Sequence, residues 1–389
     1  MKTSRPPKSR FRRSRLVIPA CLVFISVAEA QQGNRTKRRI TSNQQAFITR
    51  KLEKSVDRGL KFLASRQDRA GYWAQDIGFK LNTGYNVTKR NRGHVGVSAL
   101  ALMSFLAGGH VPGRGEYGDN LDRGLKYLLR CVKENGYIQD NGSRMYSHAF
   151  ATLLFAEIYG MTRRRDVRDA LQRAITVIVD SQNAEGGWRY QLFARESDMS
   201  ITVCQVMALR SARNVGITVP ISTITRAQNY VIQSSVQGRG RRGSFLFRGH
   251  GIVNSGGAFR YQLRSNSRAT FPLTAAGVTT LYAAGNYDSS LIDPALEYLR
   301  SQMNMFNSYF GRTGHYFYYY GHYYAVQAFF VAGGSHWRTY FVKMRTELLS
   351  NQRSDGSWPS DTGPGEAFST AVATLILQIP YQYLPIFQR

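Results

Sequence analysis

The chain has 389 residues, 43% of them hydrophobic, with 11 prolines and a formal net charge of +28 from 52 Lys and Arg against 24 Asp and Glu. That composition excludes a disordered chain and supplies enough apolar residues for a sizeable core. The excess positive charge points to anionic partners: sulfated or uronic polysaccharide, a membrane surface or a diphosphate-bearing ligand, with nucleic acid the least favoured.

In chain order, a basic stretch "KSRFRRSR", an apolar stretch "LVIPACLVFISV" and small residues "AEA" at 28–30 read as an export signal, residues 1–30, cleaved before Gln31. The apolar stretch is too short to span a bilayer. The expected location is therefore periplasmic or extracellular. A basic segment, 31–50, expected to be disordered, precedes a single domain over 51–389.

From there two kinds of helix alternate. "LEKSVDRGLKFLASRQ" (52–67) is amphipathic: Val56, Leu60 and Leu63 share one face, and Lys54, Asp57, Arg58 and Lys61 point away from it. Runs of the same kind follow at 120–133, 165–182, 221–236, 290–303 and 337–352. Between them, 94–109, 146–160, 197–212, 271–285, 318–334 and 367–379 are apolar or small almost all the way round, as buried helices are. Six amphipathic helices alternating with six buried ones predict an all-α fold, a six-repeat (α/α)6 toroid with an outer and an inner ring around a central cavity. Closure of the ring removes the exposed apolar ends that an open helical stack has to cap.

The links carry their own repeat. Gln-x-x-x-Gly-x-Trp occurs at 67–73, 182–188 and 352–358, with a degenerate copy at 132–138 and a more distant one at 241–247. The glycine suits a left-handed helix cap, and the tryptophan packs back on the helix just left. A second phrase, "GGWRYQL" at 186–192 and "GGAFRYQL" at 256–263, sets Arg189 and Arg260, and Tyr190 and Tyr261, at matching positions of repeats 3 and 4. The two arginines face either solvent or the cavity mouth. Cys131 and Cys204 fall inside apolar helical patterns, where buried free thiols are expected.

The Gln-x-x-x-Gly-x-Trp turns and paired helices resemble the terpenoid cyclase and protein prenyltransferase α/α-toroid superfamily. The closest likeness is to exported bacterial proteins with prenyltransferase and squalene oxidase repeats. It rests on "SHAFATLLFAEIYGMT", on "GGWRYQL" with "SDMSITVCQVMAL", and on "YYYGHYYAVQAFFVAGG" with "RSDGSW". The resemblance implies the toroid and a cavity for an isoprenoid or other apolar ligand. It carries little about reaction, because those relatives largely lack an assigned one. This chain also departs from its active members. Where hopene-type cyclases have an Asp-x-Asp-Asp acid motif, residues 196–200 read "ESDMS", so that Glu196 and Asp198 stand for the first and central acids and Met199 replaces the last. The zinc-binding Asp, Cys and His of the prenyltransferases have no counterpart beside either Gly-Gly phrase, and no metal or cofactor motif is present.

Asp198 has two competing roles: a catalytic acid, which requires a raised pKa, or the N-cap of inner helix 3, which lowers it. His94, His148 and His322 lie at or near the starts of inner helices 1, 2 and 5, where they are acid, base and ligand-binding candidates or satisfied core histidines. The aromatic run 316–324 supplies Tyr319 and Tyr320 to a cavity wall, to hold a cation or a ring, or to the packing of the barrel. "GRGRRG" at 238–243 lacks the strand-then-helix context of a dinucleotide site. Its arginines instead suit an anion over one rim.

The catalytic candidates are thus Asp198, Glu196, His148 and His322, and the substrate-binding candidates are Arg189, Arg260, Tyr190, Tyr261, Tyr319, Tyr320 and His94. Two function classes stay open: a cavity enzyme or carrier for an isoprenoid or other apolar ligand, and a secreted noncatalytic module whose basic rim binds anionic polysaccharide or an envelope component. A polysaccharide-degrading toroid is a weaker third, since it needs two cavity carboxylates. Oligomeric state is not specified by the sequence.

Overall fold

The computed structural model describes Met1 and residues 46–81, 84–236, 256–264 and 266–387. The export signal beyond Met1, most of 31–50, the turn copy at 241–247 and the segment 238–243 lie outside the described residues. The described residues from 46 to 387 form one compact unit.

The outer helices are α1 (Arg50–Ser65), α3 (Gly118–Arg130), α5 (Arg165–Asp180), α7 (Ile221–Gln233), α9 (Ile292–Phe310) and α11 (Gly334–Asn351). The inner helices are α2 (Val95–Ala107), α4 (Met145–Thr162), α6 (Met199–Asn214), α8 (Phe271–Ala283), α10 (Tyr316–Ala332) and α12 (Glu366–Gln378). Inner helices pack in the order α2, α4, α6, α8, α10 and α12, and α12 returns to α2, which closes the ring. Their sequences explain their place: every residue of α2 is buried, whereas α1 buries one face. No helix among the described residues is long and apolar enough to cross a membrane.

The repeated turn is the joint between neighbouring repeats. Trp188 is fully buried, and its indole Nε1–H donates to the Ile178 carbonyl at 2.7 Å; Trp73 and Trp358 donate to Leu63 and Leu348 in the same way, at 2.8 Å each. Gln182 Nε2 donates to the Gly186 carbonyl at 2.7 Å and to Thr223 O of the next outer helix at 2.9 Å. Gln67 ties to Asn120 in α3, and Gln352 to Ser55 in α1, so the last copy of the motif fastens the end of the ring to its beginning. Gly186 has φ +88, and a Cβ there would lie 2.3 Å from the Arg226 carbonyl oxygen of α7. Only glycine meets both conditions, the left-handed backbone and the close approach.

Two features depart from the helical pattern. Residues 74–93 form an antiparallel hairpin, β1 (Ala74–Leu81) with β2 (Gly84–Gly93), between α1 and α2. Its alternation of Ile77, Phe79 and Leu81 is a strand signal that helical periodicity passes over. Packing also starts before residue 51: Phe47 sets its ring 5.6 Å from Trp337 and 5.7 Å from Phe341, and the Thr49 side chain caps α1 by accepting from the Leu52 N–H at 3.2 Å.

Candidate functional site

The N-terminal ends of the inner helices converge beneath the hairpin on a cavity of about 280 Å3. It is lined from every inner helix, for example by Val97, Phe150, Ser200, Leu273, Tyr320 and Phe368, and from the hairpin by Ile77, Phe79, Lys80 and Tyr85. The hairpin is held across the mouth by several repeats. Asp76 N–H donates to Pro364 O at 3.1 Å, the Arg144 guanidinium lies 5.1 Å from the Phe79 ring, and the rings of Tyr85 and Tyr316 are 5.8 Å apart. A two-stranded ribbon is marginal by itself, and these contacts supply what it lacks.

The twice-used phrase builds one wall. The Tyr190 carbonyl accepts from the Met145 N–H at 3.1 Å, and the Tyr261 carbonyl from the Met199 N–H at 2.9 Å, so each phrase caps the inner helix of the repeat before it. This shared anchoring sets both tyrosines at the mouth of the ring. Their hydroxyls meet at 2.8 Å although 71 residues separate them. The Tyr261 hydroxyl also reaches Asp198 Oδ2 at 3.3 Å.

Asp198 is the N-cap of α6: Oδ1 accepts from the Ile201 N–H at 2.9 Å and from the Ser200 hydroxyl at 2.6 Å. It is 0% exposed. Burial raises its pKa to about 6 against the opposing pull of those hydrogen bonds. Capping and a raised pKa therefore coexist in this one residue. It does not itself line the cavity, and Tyr261 and Ser200 stand between.

Charge enters the cavity from elsewhere. Lys80 Nζ lies 5.6 Å from the Tyr261 ring centroid and 5.1 Å from that of Phe317, and the Arg268 guanidinium lies 4.6 Å from the Tyr261 centroid. Burial, and then the neighbouring Arg268 charge, lower the Lys80 pKa to about 7, with Asp198 pulling the other way. No Asp or Glu is among the described residues that line this cavity.

The candidates drawn from the sequence divide. Tyr190, Tyr261, Tyr320 and His94 line the cavity. Tyr320 donates to Ser200 O at 3.2 Å, and His94 caps α2 by accepting from the Val97 N–H at 3.2 Å, with burial lowering its pKa to about 4. The others are placed away from it. His148 Nδ1 accepts from the Ile138 N–H at 3.1 Å and Nε2 faces the Ala174 carbonyl at 3.2 Å, so it does in repeat 2 what Thr202 does for Trp188 N–H in repeat 3. His322 is held between the Tyr340 hydroxyl and Asn307 Oδ1, 2.8 Å from each. Both are fully buried core histidines and correct the expectation of an acid or base. Tyr319 donates to Pro359 O at 2.8 Å, outside the cavity. Glu196 pairs with Arg189 and Arg264 on the rim, and Arg260 donates to Ser235 O at 3.1 Å. The matching arginines thus have unlike partners and neither lines the cavity.

Lys80, Tyr85 and Arg144 are cavity residues that the helical pattern does not single out, and Arg268 stands out in the sequence only as one of a cluster of arginines. Cys131 and Cys204 are buried free thiols. Among the described residues no group of three or more His, Cys, Asp or Glu is placed to hold a metal ion.

No family model and no curated protein matches the sequence. Solved structures do match in fold. The type II terpene cyclase MstE from Scytonema is similar with a TM-score of 0.53 at 15% identity, over 86% of this chain and 99% of that one. The GH76A alpha-1,6-mannanase from Salegentibacter sp. HEL1_6 is similar with a TM-score of 0.55 at 10% identity, over 84% and 98%. An alpha-amylase from Clostridium perfringens is similar with a TM-score of 0.51 at 9% identity, over 84% and 97%. These likenesses establish the α/α-toroid and leave the activity to the site.

Proposed function

We propose that the protein is an exported binding protein that takes an elongated apolar ligand of isoprenoid type into the cavity under the hairpin. The observation that carries this is the wall itself: aromatic rings contributed by the hairpin, the repeated phrases and the inner helices enclose about 280 Å3, close to the roughly 300–1,000 Å3 of common ligand sites. Burial against such rings supplies about 25 cal/mol per Å2 of apolar surface removed from water, which favours a hydrocarbon chain. MstE, one of the similar structures, is known with geranylgeranyl dihydroxybenzoate as its substrate, which agrees with the ligand class.

Binding without cyclisation is the reading we favour, because Asp198 has no direct path to a bound alkene past Tyr261 and Ser200. Sugar hydrolysis is disfavoured, since it calls for two carboxylates flanking the bond and none is among the described lining residues. The test is native mass spectrometry of the full chain purified from its own host, followed by solvent extraction. A copurifying isoprenoid-sized lipid is expected. A ligand-free protein that is retained on sulfated polysaccharide at moderate salt would replace this reading with that of a basic-rim polysaccharide binder.

A further inference from the structure

Three cations line the mostly aromatic and aliphatic cavity, and whereas Arg144 lies over Phe79, the other two share one aromatic ring. Arg268 and Lys80 approach Tyr261 to 4.6 and 5.6 Å, and both line the cavity. Among the described residues neither forms an ion pair; the rim arginines Arg189, Arg264 and Arg353, by contrast, each pair with a glutamate. The nearest acid behind the ring, Asp198, is already engaged, with Oδ1 on Ile201 N–H and Ser200 and Oδ2 on the Tyr261 hydroxyl. Burial first, and the neighbouring Arg268 charge second, disfavour the charged form of Lys80, and Asp198 offsets them only in part. An anion placed there removes the repulsion and gains charge-assisted hydrogen bonds from both groups.

We propose that the ligand is an amphiphile whose anionic head, a carboxylate or phosphate, is held by Lys80 and Arg268 beside Tyr261 while its apolar chain lies against Phe317, Tyr320 and Phe150. This rests on the apolar-cavity reading and adds the chemistry of the head group. Hydrocarbon burial supplies most of the affinity, and the two cations supply selectivity for the charged end. Arg268 offers a planar fork and Lys80 a point charge carried on the hairpin, so an anion bound by both couples the hairpin to the α8 side of the mouth.

The experiment is titration calorimetry of the full chain with farnesol, farnesoate and farnesyl phosphate, repeated with Lys80→Met, Lys80→Arg and Arg268→Gln after circular dichroism shows that each variant melts as the wild type does. The expected result is that wild type binds at least one of the two anions tenfold or more tighter than farnesol. Lys80→Met and Arg268→Gln should each reduce the ratio of anion to farnesol affinity by about tenfold, and Lys80→Arg, which keeps the charge, should retain that ratio. Comparison of farnesoate with farnesyl phosphate distinguishes the two head groups. Equal affinity for farnesol and both anions, or a preference that survives both neutralising variants, overturns the anionic head while leaving the cavity reading intact. Failure of all three probes to bind overturns both.

Discussion

Asp198→Asn separates the two tasks of the capping carboxylate. Asparagine keeps a side-chain oxygen able to accept from the Ile201 N–H, the bond that fixes the start of α6, so the cap itself is retained. What it removes is the titration. The folded-state pKa is raised to about 6 from the ordinary aspartate 3.8, so the native state holds its proton over a pH range in which the unfolded chain has released it. The sign follows: this carboxyl favours folding fully below about pH 4, and its contribution is lost as pH rises through about 6. The whole span is worth about 3 kcal/mol at 1.36 kcal/mol per pKa unit, of which about 2 kcal/mol falls between pH 4.5 and 7.5. Urea unfolding of both proteins at those two pH values measures it. The stability of Asp198→Asn relative to wild type should improve by about 2 kcal/mol from the lower to the higher pH. A difference that stays constant with pH would refute the claim that burial outweighs the cap's hydrogen bonds.

The other predictions concern the joints, the buried histidine and the leader. Gly186→Ala should destabilise by the roughly 1–2 kcal/mol of a left-handed alanine plus the displacement of the Arg226 carbonyl; Gly216→Ala, with φ +89 and open space around its Cβ, should show the first part alone. Equal losses in denaturant midpoints for the two would mean that the close approach between repeats contributes nothing. His148→Leu strands the Ile138 N–H and the Ala174 carbonyl and should cost roughly 2–4 kcal/mol in urea unfolding. Its affinity for a cavity ligand should be unchanged, whereas a catalytic or binding histidine would alter it. Both thiols should resist iodoacetamide until the protein unfolds, as mass spectrometry of the native and denatured chain will report. Amino-terminal sequencing of the protein recovered from a cell-envelope or culture fraction should begin at Gln31; a chain that retains residues 1–30 in the cytosol would exclude export.

The ring was legible in the sequence because its cause is local and repeated. Burial on all sides of "HVGVSALALMSFLAGG" against one face of "LEKSVDRGLKFLASRQ" follows from composition at helical spacing, and six such pairs leave little choice of architecture. The turn motif was legible for the same reason, since a left-handed glycine and a tryptophan returning to its own helix are short-range requirements. The tyrosines of the repeated phrase were found by their matching positions, and the meeting of Tyr190 with Tyr261 follows from equal anchoring in adjacent repeats.

The site's charge was not legible in that way. Lys80 sits on a short hairpin whose alternation is faint beside twelve helices, and nothing near it in sequence indicates that it will cross the mouth to share an aromatic ring with Arg268, 188 positions away. His148 and His322 could not be told from cavity residues until their partners, Ile138 and Ala174 for one and Tyr340 and Asn307 for the other, were in place. Periodicity records which face of a helix avoids water, and so the sequence by itself determined the rings, the joints and the place of Asp198 at the start of an inner helix. Which polar groups point inward, and which cations share a ring in the cavity, depends on contacts between repeats and across the hairpin, and only the tertiary structure decided those.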